Sequence, residues 1–292
     1  MPAHVPEVDA DPVPHHSEYP VEDLIRLKGS QRISVCIPAH DEERTIGPIV
    51  AAVRRQLLEQ AGLVDEILVL DHDSHDGTAR IAAAAGARVV ATSELLTEFG
   101  AALGKGDALW RSVLASTGDI IVWLDADLED FDAHFVTGLL GPLLQQPEVM
   151  LVRATYQRAL GGVPGEGGRV TELLARPVIA MLFPELAHIR QPLGGEYAIR
   201  RSAAEALPFE PDYGVEMGLL LDVANRYGVA AVGQVDLGVR THRNRPLTAL
   251  REQSRQVLRA VLCRTPTAVP VRGGVPLRPP IAELRDPDEI AV

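Results

Sequence analysis

The run Ile120-Ile121-Val122-Trp123-Leu124 is five apolar residues long and stops at Asp125-Ala126-Asp127. A short continuous apolar run bounded by polar residues reads as a strand buried on both faces. In an open α/β sheet, ligands bind beyond the carboxyl ends of the strands. Side chains at i and i+2 of an extended segment point the same way, so Asp125 and Asp127 can address one hard cation. Magnesium is held by one or two carboxylates, with waters and substrate phosphates completing its octahedron. The tripeptide by itself fits a loop-capping pair of acids equally well. The rest of the chain has to decide.

Composition narrows the partners. The chain has 292 residues, 46% of them hydrophobic, enough for one sizeable core or two modest ones. A formal net charge of −12 argues against nucleic acid as a partner, because neutralising phosphates needs a basic face. Lys28 and Lys105 are the two lysines of the chain, so the lysine inside Gly104-Lys105-Gly106 stands out. Cys36 and Cys263 are too few for a disulfide framework, and Cys36, inside an apolar run, reads as an inert core residue. No apolar run reaches the length of a membrane span, and the acidic, Pro- and His-rich residues 1–20 are unlike a signal peptide. A cytoplasmic protein is expected.

Residues 1–20 have no apolar period and read as a disordered arm, followed by a short helix over 21–27. The first strand, Ile33-Ser34-Val35-Cys36-Ile37, is closed by Pro38 and leads into Ala39-His40-Asp41-Glu42-Glu43. Ile46, Ile49, Val50, Val53 and Leu57 then recur at the period of an amphipathic helix. A second strand over 66–71 ends at Asp71-His72-Asp73-Ser74-His75-Asp76, where Ser74 or Asp76 can cap the next helix and Gly86 can end it. A third strand over 88–92 and a glycine-opened helix lead to the central strand. Strands alternating with helices give a parallel sheet with right-handed crossovers. Neither G-x-G-x-x-G after the first strand nor a P-loop is present, which sets those nucleotide folds aside. Acidic residues at three strand ends suit a ligand that donates hydrogen bonds, such as a uracil edge and ribose hydroxyls beside a metal-bound diphosphate. Each acid alone also fits a loop cap. Lys105, between glycines that let backbone come close, suits a phosphate or a base carbonyl, against the ordinary alternative of a solvated lysine.

The second half differs in character. A strand over 149–156 leads into residues 160–168, with five glycines and a proline, the composition of a mobile loop. In Gly168-Arg169-Val170-Thr171, arginine and threonine open a helix where free N–H groups and the dipole favour an anion. Arginine is unfavourable at an isolated helix start, so it is better explained by a bound phosphate or carboxylate. Gln191-Pro192-Leu193-Gly194-Gly195-Glu196 sets a carboxylate after a tight turn, and Glu216 opens an apolar helix to Tyr227, a place an acid also takes for the dipole alone. A strand over 231–239 delivers Arg240-Thr241-His242-Arg243-Asn244-Arg245-Pro246, a basic cluster that reads as an anion site. A last helix over 247–263 precedes a Pro-rich, extended tail.

Taken in order, strand–Pro-Ala-x-x-Glu-Glu, strand–Asp-x-x-Ser, Gly-Lys-Gly and Asp-x-Asp resemble the GT-A glycosyltransferases. Gly-Gly-Arg-Val-Thr-Glu-Leu, Gly-Glu-Tyr, Tyr-Gly-Val-Glu and His-Arg-Asn-Arg-Pro resemble the glucosyl-3-phosphoglycerate synthases, over residues 33–264. The resemblance implies a GT-A α/β fold with a mostly parallel, Rossmann-like sheet flanked by helices. It also implies a nucleotide-sugar half over 21–148 and an acceptor half over 149–264, between the arm and a tail over 265–292. The implied reaction is a retaining transfer of glucose from UDP-glucose to the 2-hydroxyl of 3-phosphoglycerate, with Mg2+ or Mn2+, in a homodimer. Pro38, Ala39, His40, Glu42, His72, Lys105, Asp125, Ala126, Leu193 and Glu216 would line the donor site, with Glu216 on sugar hydroxyls. Asp127 and His242 would ligate the metal with Asp125 beside them, and Asp127, Glu216 and His242 would carry catalysis. Gly168, Arg169, Val170, Thr171 and Asn244 would hold the acceptor. The chain departs from the family's Asp-Ser-Gly-Ser-Thr-Asp at residues 71–76, from Leu-Ser-Gly-Glu at 193–196 and from Asp-Ser-Asp at 125–127. Those departures leave open another donor or small-acid acceptor, and a polyprenyl-phosphate glycosyltransferase shares the first set of motifs. A nucleotidyltransferase would place a Gly-rich loop with Arg and Lys after the first strand, where Asp41-Glu42-Glu43 stands; a non-catalytic nucleotide-sugar sensor differs by its lack of turnover.

Overall fold

The computed structural model describes residues 12–160, 163–164, 168–240, 247–265 and 276–284. Its strands are β1 (Ile33–Ala39), β2 (Glu66–Asp71), β3 (Arg88–Ala91), β4 (Ile120–Trp123), β5 (Leu151–Leu160), β6 (Val163–Pro164), β7 (Tyr197–Arg200) and β8 (Val232–Arg240). They form a sheet in the order β3-β2-β1-β4-β7-β5-β6, with β8 paired to β5. The helices are α1 (Val21–Lys28), α2 (Ile46–Val53), α3 (Thr78–Ala85), α4 (Lys105–Ala115), α5 (His134–Gln145), α6 (Arg176–Leu182), α7 (Arg201–Ala206), α8 (Val215–Tyr227) and α9 (Leu247–Leu262).

The first four strands run parallel, in register, with Cys36 opposite both Leu68 and Trp123. Alternate residues of each strand feed opposite faces. Ile33, Val35, Ile37, Ile120, Val122 and Leu124 enter one core with residues of α1, α2 and α5. Cys36, Ile121 and Trp123 enter the other with residues of α4, α8 and α9. Both faces are covered, which is why the strands read as unbroken apolar runs. Each aliphatic side chain so buried contributes about 1.5–3 kcal/mol before entropy is counted. The Trp123 indole donates to Ser112 Oγ at 2.8 Å, so its polar edge is satisfied inside the core. Cys36 is buried and its thiol is pushed up to about 12 by that burial, which makes it the inert core residue expected.

The sheet is more mixed than the sequence suggested. β7, four residues after a tight turn, carries too short a pattern to be recognised, yet it pairs antiparallel with both β4 and β5. It welds the two halves of the chain into one sheet. The start of β7 therefore lies at the same rim as the ends of β4, β5 and β8.

The expectation of an arm over 1–20 is corrected for residues 12–20. Residues 12–20 are not a loose arm: Asp236 N–H donates to Pro14 O at 2.8 Å and Tyr19 is buried. Tyr19 packs on Gly141 of α5, where an added Cβ would come within 2.2 Å of the ring, so a glycine makes the seat. Segment 276–284, part of the Pro-rich tail, is packed on the fold, because Arg278 pairs with Phe209 and Ile281 is fully buried. Residues 1–11 and 285–292 lie outside the described residues, as does most of the expected mobile loop. Among the described residues no helix is long and apolar enough to cross a membrane.

Candidate active site

Two loops at the ends of β1 and β2 build one wall. They are stitched by cross-loop bonds: His75 N–H to Asp41 Oδ1 at 2.7 Å, Glu42 N–H to Thr78 Oγ1 at 2.8 Å and Gly77 N–H to Glu43 Oε2 at 2.9 Å. Asp41 and Asp73 sit at φ 55° and 51°, the left-handed region that aspartate tolerates better than most residues. The expected cap is partly met, since Asp76 Oδ1 accepts from Thr78 N–H at 2.9 Å although Gly77 is the N-cap of α3. His40 Nδ1 lies 2.6 Å from the His72 carbonyl oxygen, which can only accept, so Nδ1 carries the proton. His72 Nδ1 lies 3.3 Å from Thr92 Oγ1. Burial, and then His40, lowers the His72 pKa, so its ring is neutral at pH 7.

The opposite wall starts at α4. Gly106 lies so close to the neighbouring chain that a Cβ there would come 1.9 Å from the Glu210 carbonyl oxygen. That close approach explains the glycine after Lys105. It also presses the first turn of α4 against the 210–212 segment, where Asp107 N–H donates to Pro211 O at 3.0 Å. Lys105 then projects inward, Nζ 2.6 Å from Asp125 Oδ1 and 2.7 Å from Glu216 Oε1. Burial alone would lower the lysine pKa, but Asp125 and Glu216 outweigh it and raise it well above the usual value.

At the centre, Asp125 is bound on both oxygens. Oδ1 faces Lys105, and Oδ2 accepts from Arg240 Nη2 at 2.9 Å. The same nitrogen lies 3.3 Å from Asp127 Oδ1 and 3.1 Å from Glu196 Oε1, while Arg240 Nη1 donates to Tyr156 Oη at 3.0 Å. Burial would raise the Asp125 pKa; Lys105 and Arg240 override it and hold the carboxyl well below the usual range. Gly195 backs this carboxylate, and a Cβ there would lie 2.2 Å from Asp125 Oδ2. The turn that brings Gly195 is held by buried Arg153, whose Nη2 donates to Pro192 O at 2.7 Å and Gly194 O at 2.9 Å.

Two sequence expectations change. Both carboxylates line the cavity but are not held alike: Asp125 is engaged on both oxygens by Lys105 and Arg240, whereas Asp127 meets only Arg240 among the described residues, at 3.3 Å on Oδ1. Arg240 lines the cavity, but its guanidinium, six per cent exposed, turns onto three acids rather than outward. His242 and Asn244 lie outside the described residues.

A cavity of about 380 Å3 joins these parts, within the range of small-ligand sites. Pro38, Ala39, His40, Glu42 and His72 line one end; Lys105, Asp125, Ala126, Asp127, Leu193 and Glu216 line the middle. Gly168, Arg169, Val170 and Thr171 line it too, at the start of a π-type turn over Thr171–Ala175 that runs into α6. Such turns recur at functional sites. Tyr213, Leu250 and Gln253 also line the cavity and were not anticipated. A signal for Gln253 existed: it is the polar member of the Leu250–Gln253–Val257 face of an amphipathic helix.

A divalent cation fits this donor set. Asp127 offers a carboxylate to the cavity, and Mg2+ needs few protein ligands when phosphates and waters supply the rest. Among the described residues no group of three or more His, Cys, Asp or Glu is arranged to hold an ion.

Comparison with known proteins agrees with this geometry. The sequence model of glycosyl transferase family 2 matches residues 34–166. The glucosyl-3-phosphoglycerate synthase of Mycolicibacterium smegmatis is 50% identical over 248 residues, 84% of this chain and 81% of the relative. That of Petrotoga mobilis is 44% identical over 257 residues, 86% and 79% of the two chains. The crystal structure of the Mycobacterium tuberculosis enzyme with Mn2+, UDP-glucose and phosphoglyceric acid superposes with a TM-score of 0.86 at 42% identity, covering 95% of this chain and all of that one. Its complex with Mg2+ and UDP gives a TM-score of 0.83, covering 91% and 96%. The fold is thus GT-A, and the chain belongs to the glucosyl-3-phosphoglycerate synthase family.

Proposed function

We propose that this chain is a metal-dependent glycosyltransferase that moves glucose, with retention, from UDP-glucose to the 2-hydroxyl of 3-phosphoglycerate. The observation that carries this reading is a single cavity lined both by the β1 and β2 strand ends and by the Arg169–Thr171 turn, with Asp127 and Lys105 between. A nucleotide-sugar donor calls for the strand-end residues with Lys105, and a phosphorylated acid acceptor calls for the Arg169–Thr171 turn. The relatives supply the substrates: their structures hold UDP-glucose, phosphoglyceric acid, Mg2+ and Mn2+.

In this reading the uridine lies along Pro38 to Glu42 and His72. Asp127 and His242 would hold Mg2+ or Mn2+, which would supply positive charge against the diphosphate. Lys105 adds a fixed positive charge on the nucleotide side, already oriented by Asp125 and Glu216, so little reorganisation remains at the moment of reaction. Arg240 pairs directly with Asp125 and Asp127 and, with Lys105, holds the Asp125 carboxyl ionised. Glu216, in the first turn of α8, receives sugar hydroxyls. Arg169, Thr171 and Asn244 take the acceptor phosphate and Gly168 and Val170 shape the turn, so that both substrates are clamped and the bimolecular entropy cost falls. The bond that breaks joins the anomeric carbon to the diphosphate, and UDP leaves with its electron pair; the bond that forms joins that carbon to the acceptor oxygen, whose proton passes to the departing diphosphate oxygen. We further place the enzyme in the cytoplasm, as a homodimer, with donor and acceptor halves divided near residue 148.

The test is turnover with Mg2+ of UDP-, GDP- and ADP-glucose, and of other UDP-sugars, against 3-phosphoglycerate and related small acids. Product from UDP-glucose and 3-phosphoglycerate is expected; product only from another pair overturns the substrate assignment. Arg169→Ala is expected to raise the acceptor KM far more than the donor KM, and equal changes would remove the acceptor role.

A further inference from the structure

Asp107 lies in the first turn of α4, two residues beyond Lys105, and is fully buried. A buried carboxylate needs partners, and these partners define its task. Oδ2 accepts the Leu103 N–H at 2.9 Å, which closes the turn that launches the helix. The same carboxylate receives both prongs of Arg278, Nε to Oδ1 at 2.8 Å and Nη2 to Oδ2 at 2.6 Å. Arg278 comes from a segment 171 residues further along the chain.

That segment is firmly seated. Phe209 and Arg278 exchange both backbone hydrogen bonds, at 3.0 and 2.9 Å, and Trp110 Nε1 donates to Pro279 O at 2.8 Å. Arg278 Nη1 also donates to Phe99 O at 3.1 Å, and its guanidinium lies 5.6 Å from the Trp110 ring centroid. Arg111 is 3.8 Å from the Asp107 carboxylate, but its Nη groups are committed to carbonyl oxygens of Thr92, Leu96 and Gly100. Arg278 is therefore the two-pronged partner of Asp107. Neither residue lines the cavity. Their route to the site runs through the 103–107 turn, which sets the direction in which Lys105 leaves the helix.

We propose that Arg278 is a positioning residue for donor binding, its fork on Asp107 fixing the turn from which Lys105 reaches the nucleotide. The proposal rests on the reading of Lys105 as a donor contact. A planar fork matched to both carboxylate oxygens fixes orientation as well as distance, which a single point charge cannot do. The C-terminal segment thereby belongs to the donor side of the enzyme although it stands at the other end of the chain.

The full-length chain carrying Arg278→Gln tests this, with UDP-glucose and 3-phosphoglycerate varied separately. The donor KM is expected to rise about tenfold and the acceptor KM less than about twofold. Arg278→Lys, which keeps the charge and loses the fork, is expected to give an intermediate donor KM with the fold unchanged by near-ultraviolet circular dichroism. In a Lys105→Gln background, Arg278→Gln is expected to add less than about twofold, because both changes act through one contact. Equal changes in both KM values, or full additivity with Lys105→Gln, would overturn the proposal. Should Arg278→Gln not fold, the donor-to-acceptor split of Arg278→Lys decides the same point. A wild-type chain that turns over UDP-glucose while these variants leave the split unchanged refutes the Arg278 role alone; a wild-type chain without such turnover refutes the functional reading and this role with it.

Discussion

Gly106→Ala isolates how closely the lysine-bearing helix must approach its neighbour. A Cβ at this position would stand 1.9 Å from the Glu210 carbonyl oxygen and 2.9 Å from that of Asp212. An ordinary carbon–oxygen approach is about 3.3 Å, so α4 or the 210–212 backbone must give by about 1.4 Å. Neither oxygen belongs to a side chain that can rotate away. Overpacking of this kind costs about 3 kcal/mol at the upper end of its usual range. Alanine returns about 1 kcal/mol through its better helix propensity. The net loss of about 2 kcal/mol corresponds to a fall in Tm of about 4 °C in a chain of this size. The displacement also falls next to Lys105, whose Nζ contacts at 2.6 and 2.7 Å leave no slack. A shift of about 1 Å in a positioning element can cost about a hundredfold in rate, and a loss of about ten- to a hundredfold in kcat/KM for the donor is expected. Differential scanning calorimetry and steady-state kinetics measure both. Gly104→Ala is the comparison: its Cβ would meet Pro211 O at 3.3 Å in extended backbone, and a change under about 1 °C is expected. If Gly106→Ala matched Gly104→Ala in both assays, the argument from close approach would be wrong.

Asp127→Asn removes the carboxylate that opens to the cavity and should abolish Mg2+-dependent turnover while leaving the circular dichroism spectrum unchanged; retained metal-dependent turnover would exclude Asp127 as the ligand. His72 has a folded pKa below its ordinary value, first through burial and then through His40, against weaker opposing effects of Asp73, Asp107 and Asp71. The unfolded chain thus binds the proton more readily, so stability is full above about pH 6.5 and falls as the pH drops below it. His72→Asn should flatten the decline of Tm between about pH 7 and pH 5; an unchanged slope would mean that His72 does not carry it. Asp73, at φ 51°, stands where the family pattern has glycine, so Asp73→Gly should relieve left-handed strain and raise stability by about 0.5 kcal/mol or less, offset in part by the entropy of glycine. Urea denaturation reads it, and a clear destabilisation would show that the aspartate side chain does more than tolerate the turn.

Most of the cavity wall built by the strand ends was legible because it is local. Pro38 to Glu42, His72 and Asp125 to Asp127 each follow directly from a strand, and a strand's end is visible in the apolar pattern. Lys105 and Arg169 announced themselves as charges in places where a helix start gives no reason for them. Arg240 was misread because sequence shows the charges beside it, Arg243 and Arg245, and not the acids opposite it, Asp125 and Glu196. β7 escaped because four residues with one apolar alternation cannot be told from a loop. Arg278 lay hidden in a Pro-rich tail whose composition gives no hint of a buried partner 171 residues away.

The pairing of Arg240 with the acids of β4 has a kinetic side. The contacts close chain separations of 115 residues to Asp125 and 113 to Asp127. Contacts of that separation need both halves of the sheet in place, so these bonds are expected to form late on the folding pathway. Interactions absent from the transition state leave the folding rate untouched and govern escape from the native state. The ring of charges around the cavity would then also be a latch, and loosening it at Arg240 is expected to raise the unfolding rate in a chevron experiment and leave the folding rate unchanged.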